Sequence, residues 1–174
     1  DSDESRGLGD VYKRQEDNRE EIGFSIAKEE GRKLIKPFDD LNVIYGQGTA
    51  ALEVMDEVDT KFDMSVVCCS GGGLAAGTGI VLKNSLSDCQ LYTAEPKDWN
   101  DHEKSFLQNN IVSIKTKKHG MCDALENPQP GEITFRINSA LNTKGLSAND
   151  KYIIEAMKIP VSYTHLTLPT ILLV

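Results

Sequence analysis

Phe62-Asp63-Met64-Ser65-Val66-Val67-Cys68-Cys69 runs directly into Ser70-Gly71-Gly72-Gly73-Leu74, and this stretch decides the fold. Phe62 to Cys69 is a compact apolar run suited to a buried parallel strand. Leu74 to Leu86 has helical character, with Leu74, Gly77 and Val81 on one face. Gln90 to Ala94 reads as a second strand. Strand, glycine loop, helix and strand within about 30 residues make a βαβ unit. Its crossover is expected to be right-handed and its sheet covered on both faces.

The three glycines set backbone N–H groups at the mouth of a helix, where they can converge on one anion. Glycine permits both the dihedrals and the close approach. The helix terminus adds partial positive charge. A phosphate monoester suits such a loop without help from Lys or Arg, and the Ser70 hydroxyl is a further donor. A tight strand-to-helix turn with no ligand is the other reading. No G-x-x-x-x-G-K-[ST] is present, since Gly77 is followed by Thr78 and Gly79. Gly71 to Ala76 is a poor match to G-x-G-x-x-G, although Glu95 at the end of the next strand keeps a dinucleotide site open.

Outward from this unit the pattern is plainer. Asn18 to Glu30 is expected to be helical up to Gly31, and Lys33 to Lys36 extended up to Pro37. Residues 37–48 read as a connection, after which Thr49 caps a helix to about Glu57. Beyond Pro96, His102 to Gln108 reads as helix, Ile111 to Ile114 as extended and Asn127 to Gly131 as loop. Ser147-Ala148-Asn149-Asp150 matches a capping box opening a helix through Met157.

The chain has 174 residues, 19 Lys+Arg against 27 Asp+Glu, and a net charge of −8. That balance argues against a nucleic-acid partner, whose phosphates need clustered cations. No apolar run approaches the roughly 20 residues that cross a bilayer. Cys68, Cys69, Cys89 and Cys122 have neither zinc-site spacing nor the density of a disulfide scaffold. With no signal peptide in view, a cytoplasmic enzyme with reduced thiols is expected. Cys68 and Cys69 read as packing residues, and His102 and His119 as surface residues. Lys115, Lys117 and Lys118 read as a solvated loop.

The two ends read as foreign to the protein. Ser5 to Gln15 (SRGLGDVYKRQ) and Val161 to Thr170 (VSYTHLTLPT) can be encoded by one DNA element in opposite orientations. GATGTGTATAAGAGAC in the first is the reverse complement of GTCTCTTATACACATC in the second. The element resembles a sequencing-library adapter. Residues 1–15 and 161–174 are therefore expected to be adapter-derived tails, flanking an internal fragment at 16–160.

Val43 to Glu53 (VIYGQGTAALE), Ser70 to Leu74 with Gly77, Ala94-Glu95-Pro96, and Pro130 to Phe135 (PGEITF) together resemble a known family. In this order they are similar to the middle of a serine/threonine dehydratase of the fold-type II pyridoxal-phosphate enzymes. Serine racemase and 3-hydroxyaspartate ammonia-lyase are close relatives within that family. The resemblance implies an α/β fold of the tryptophan synthase β type, a parallel sheet with flanking helices. It makes residues 16–45 the end of the small domain and its linker, and 46–160 part of the large cofactor-binding domain.

The resemblance further implies that Ser70, Gly71, Gly72, Gly73 and Leu74 wrap the phosphate of pyridoxal 5'-phosphate. It implies a cation position for Mg²⁺ or a similar ion at Glu95, the Trp99 carbonyl and Asp101, oxygen ligands that suit a hard cation. A carboxylate that only caps the next turn is the alternative for Glu95. The implied activity is deamination of serine or threonine to a 2-oxo acid and ammonia, in a homo-oligomer acting on a small amino acid. The family's cofactor-carrying lysine, in a Ser-Phe-Lys-x-Arg-Gly segment, is expected outside this chain, so no catalytic residue is assigned and the chain alone is expected to be inactive. Racemisation, 3-hydroxyaspartate deamination and a non-catalytic phosphate- or nucleotide-binding domain stay open as alternatives.

Overall fold

The computed structural model describes residues 19–162 apart from Thr60 and Lys117. The two expected adapter tails lie outside those residues, except for Val161 and Ser162, which end the last helix. The chain divides into two compact units, residues 1–36 and 37–174. In the first, α1 (Arg19–Glu29) ends where Gly31 takes a left-handed φ of 64°. The Arg32 amide turns back to the Ala27 carbonyl at 2.8 Å, closing the helix as a glycine cap does. Residues 33–36 form no strand.

The second unit opens with α2 (Leu41–Glu57). It begins eight residues before the expected Thr49. Asp40 caps it, its Oδ1 accepting from the amides of Asn42 at 2.8 Å and Val43 at 3.4 Å. Thr49 instead lies inside the helix and donates its hydroxyl to the Gly46 carbonyl at 2.7 Å. Gly48 is tolerated within the helix because the next helix crosses it backbone to backbone. A Cβ on Gly48 would come within 3.0 Å of the Gly77 carbonyl oxygen, and one on Gly77 would strike the Ile44 carbonyl.

The βαβ unit is present as expected: β1 (Met64–Cys68), α3 (Gly73–Ser85) and β2 (Gln90–Pro96). A third strand, β3 (Lys144–Ala148), completes a parallel sheet in the order β1-β2-β3. Met64 aligns with Gln90 and Cys68 with Ala94, while Tyr92 aligns with Lys144 and Pro96 with Ala148. Contrary to expectation β1 is not fully buried. It pairs on one side only, and Met64 and Val66 are more than half exposed. The core lies between α3 and the sheet, where Leu82, Cys89 and Leu91 are buried against Met55, Phe62, Leu86 and Leu141.

Between β2 and β3 come a 3-10 turn (Lys97–Trp99), α4 (Asp101–Gln108) and α5 (Glu132–Ala140). Residues 111–114 are not a strand; the Ile114 amide bonds the Pro128 carbonyl at 2.7 Å. α4 lies directly on β3, so that a Cβ on Gly145 would collide with the Glu103 backbone. The last helix, α6 (Asp150–Ser162), starts after β3, and Ser147 belongs to that strand. The capping falls to Asn149, whose Oδ1 accepts the Tyr152 amide at 3.3 Å.

Candidate functional site

The loop Ser70 to Leu74 sits at the C-terminal end of β1, where ligands of parallel α/β sheets bind. Its glycines are required by their surroundings. A Cβ on Gly71 would enter the Phe38 ring, and one on Gly73 would meet the Phe38 backbone at 3.1 Å. Gly72 is left-handed at φ 92°, and a Cβ there would point into the interior, 2.5 Å from His102 Nε2.

The loop's carbonyls are held from behind. Thr134 on α5 donates its hydroxyl to the Gly71 carbonyl at 2.7 Å and approaches that of Gly131 at 3.1 Å. The Gly131 amide also reaches the Gly71 carbonyl, at 3.3 Å. Asn138, one turn along, donates to the Gly72 carbonyl at 3.2 Å. α5 is itself anchored by Asp39, whose Oδ1 accepts the Ile133 amide at 2.8 Å and the Thr134 amide at 3.4 Å. Sequence reasoning missed Asp39, Phe38, Thr134 and Asn138. The available signal was Thr and Asn four residues apart behind Pro130-Gly131, which puts both on one helix face.

The amide side of the loop is different. The first amides of α3 have no carbonyl within the helix. α3 also begins without a side-chain cap and without an acidic residue in its first turn, whereas Asp40 caps α2. Ser70 is half-buried, Gly71 to Gly73 are buried and Leu74 is exposed. Carbonyls tied back and uncapped amides forward make a receptor for an anionic group, and the residues present fit a cofactor phosphate.

Behind the loop lies the second expected cluster. Glu95, at the end of β2, caps α4: its Oε1 accepts the His102 amide at 2.8 Å and its Oε2 the Glu103 amide at 2.9 Å. Asp101 opens the same helix, and both its oxygens are buried without a hydrogen-bond partner. Trp99 is a buried packing residue on the intervening turn, with Nε1 donating to the Lys118 carbonyl at 2.9 Å.

His102 is not a surface residue. It is fully buried, with Nδ1 3.3 Å from both Glu95 Oε1 and Asp101 Oδ2. The reason is its place in the first turn of α4, which turns the ring toward the back of the loop although charged residues flank it in sequence. Burial pushes the imidazole toward its neutral form, but contacts with Asp101, Cys69 and Glu95 outweigh that and hold its pKa well above 6.5. Burial raises Asp101 from 3.8 to about 6, with His102 opposing the rise. Burial likewise raises the Cys69 thiol, consistent with a packing role. His119, by contrast, is exposed as expected and lies 2.7 Å from Glu126.

A parallel sheet with an uncapped glycine loop at a strand end, braced from behind, defines an α/β protein built to hold a phosphorylated ligand. The chain belongs to the pyridoxal-phosphate-dependent enzyme family, whose sequence profile matches residues 8–166. It is 34% identical over 148 residues to the serine racemase of Schizosaccharomyces pombe, covering 85% of this chain and 45% of that protein. It is 35% identical over 146 residues to the L-threo-3-hydroxyaspartate ammonia-lyase of Saccharomyces cerevisiae, covering 84% and 44%. Among solved structures, the serine racemase of Dictyostelium discoideum superposes with a TM-score of 0.73 at 33% identity, over 83% of this chain and 45% of that one. A bacterial-type threonine deaminase structure superposes with a TM-score of 0.80 at 29% identity, over 84% of this chain and 50% of that one. The chain thus spans about half the length of the relatives it matches. The likeness bears out the expected fold-type II architecture. Among the described residues no helix is long and apolar enough to cross a membrane.

Proposed function

We propose that the chain is part of a cytoplasmic pyridoxal-phosphate-dependent lyase that deaminates L-serine or L-threonine to a 2-oxo acid and ammonia by α,β-elimination. Residues 16–45 end its small domain and 46–160 belong to its large one. The observation that carries the reading is the uncapped amide face of Ser70 to Leu74, with its carbonyls fixed by Thr134, Gly131 and Asn138. Bound pyridoxal phosphate supplies an electron sink, so that the substrate's α-proton leaves and its β-hydroxyl follows. This chain's part is to hold the cofactor's phosphate and fix its position. The lysine that carries the cofactor is supplied from outside it. Glu95, the Trp99 carbonyl and Asp101 hold a divalent cation, which Asp101's two unpartnered buried oxygens favour.

Serine racemisation and 3-hydroxyaspartate deamination are the second reading, favoured by the names of the relatives. The test takes the complete enzyme carrying this sequence and offers it L-serine, L-threonine and L-threo-3-hydroxyaspartate. Release of 2-oxo acid and ammonia from the first two supports the lyase, whereas D-serine without ammonia supports the racemase. Purified enzyme that carries a nucleotide and no pyridoxal phosphate sinks both. The 174-residue chain alone is expected to show no turnover.

A further inference from the structure

We propose that His102 supplies a nitrogen ligand to the cation position at Glu95 and Asp101, so that this site takes a divalent transition ion such as Zn²⁺, Mn²⁺ or Co²⁺ in preference to Mg²⁺ or Ca²⁺. The inference rests on the cation assigned to Glu95 and Asp101 above and changes both its ligand set and its chemistry. Glu95, Asp101 and His102 each offer one donor atom, all within 4.8 Å of one another and all buried. Nδ1 lies 3.3 Å from Glu95 Oε1 and 3.3 Å from Asp101 Oδ2. Two ligands bonded at about 2.0–2.1 Å to one ion, at the tetrahedral angle, stand about 3.3–3.4 Å apart. Neighbouring ligands of octahedral Mg²⁺ would stand about 3.0 Å apart, and the longer bonds to Ca²⁺ call for six to eight oxygens.

A second observation points to a missing partner. Both Asp101 oxygens and both His102 nitrogens are buried without a hydrogen bond. His102 Nδ1 faces two carboxylates yet bonds neither, so close packing alone leaves the charges unsatisfied. One cation among Nδ1, Glu95 Oε1 and Asp101 Oδ2 would satisfy an atom of each. Glu95 can serve while still capping α4, because each of its oxygens has a lone pair beyond the amide it accepts. Imidazole is the donor that separates Zn²⁺, Mn²⁺ and Co²⁺ from Mg²⁺ and Ca²⁺, which favour an all-oxygen shell. The other face of the ring lies against Gly72, 2.5 Å from where a Cβ would sit, so the ligand is held by the back of the phosphate loop.

The test uses the complete enzyme, stripped with chelator and dialysed, with bound pyridoxal phosphate read separately by its absorbance. Competition titrations of Zn²⁺ and Co²⁺ against Mg²⁺ are expected to favour the transition ions by at least about tenfold. Pulsed electron paramagnetic resonance of the Mn²⁺-loaded enzyme is expected to show ¹⁴N coupling from a directly bound imidazole. His102→Asn should abolish that coupling and the preference while leaving Mg²⁺ affinity within about threefold. Should that variant fail to fold, Asp101→Asn keeps the ring, and the nitrogen coupling must fall together with ion affinity. Mg²⁺ binding without nitrogen coupling or transition-ion preference would overturn the His102 ligand but keep the cation. Failure of every ion to bind would overturn both, and the cofactor reading would still stand on its absorbance.

Discussion

The phosphate loop and the turn behind it share a wall but are finished differently. On the loop side, the Gly71 and Gly72 carbonyls are bonded by Thr134, Gly131, Asn138 and the Ala76 amide. On the turn side, Asp101 and His102 keep four buried polar atoms without a partner. A loop that must present its amides to a ligand has its shape fixed by the protein itself. A turn left with unsatisfied charge gets its final shape from what binds there. The two are joined at one contact, Gly72 against His102, so a change at Gly72 reaches both.

Gly72→Ala is expected to have the largest effect. A left-handed φ in a non-glycine residue costs about 1–3 kcal/mol. The new methyl also meets the enclosed His102 ring and Thr134, and overpacking adds about 1–3 kcal/mol. The complete enzyme carrying the change should lose bound cofactor and melt well below wild type. Retention of both would show that the loop and the turn are not coupled through this contact.

Thr134→Val comes next and probes the loop alone. The side chain keeps its shape, while the Gly71 carbonyl is left with the longer bond from Gly131. Denaturant unfolding should register a loss of about 1–3 kcal/mol, the range for leaving a buried acceptor poorly satisfied. Thr134→Ser, which keeps the hydroxyl, should recover most of it. Equal losses in the two variants would mean that packing and not the hydroxyl bond holds the loop.

Glu95→Gln probes the turn. Its amide group offers one acceptor where the carboxylate offered two, so either the His102 or the Glu103 amide loses its partner. In chelator-treated enzyme the cost should be about 1 kcal/mol, typical of a lost helix cap. Added divalent ion should stabilise wild type and not the variant, because binding to the folded state alone raises its melting temperature. A variant that still responds to the ion would move the cation away from Glu95.

The same contrast governs what could be read in the sequence. The loop was legible because its constraint is local: an apolar run, three glycines and a helical face allow few structures. The start of α2 was not, because Tyr45-Gly46-Gln47-Gly48 looks like a connection until Gly77 is seen lying on Gly48. β3 was missed because Lys144-Gly145-Leu146-Ser147-Ala148 lacks the β-branched alternation of a strand and owes its pairing to β2. His102 looked like a surface residue since its neighbours are charged, and only the docking of α4 behind the loop turns it inward. Glu95 and Asp101 were found through resemblance, and the unpartnered atoms around them come from tertiary packing.

Asn138→Ala should have the smallest effect, and that smallness sharpens the comparison. Asn138 donates to the Gly72 carbonyl at 3.2 Å, but that carbonyl also accepts the Ala76 amide at 3.0 Å. Removing the side chain therefore leaves no orphaned acceptor on the loop. It also removes the Asn138 Oδ1, which is buried without a partner of its own. The lost bond is worth about 0.5–1.5 kcal/mol, and the removed unsatisfied oxygen offsets part of it. The expected result is a loss near the lower end of that range by denaturant unfolding, with cofactor retained. A loss as large as that of Thr134→Val would mean that both α5 side chains are needed to hold the loop, and that its carbonyls are less independently secured than their hydrogen bonds indicate.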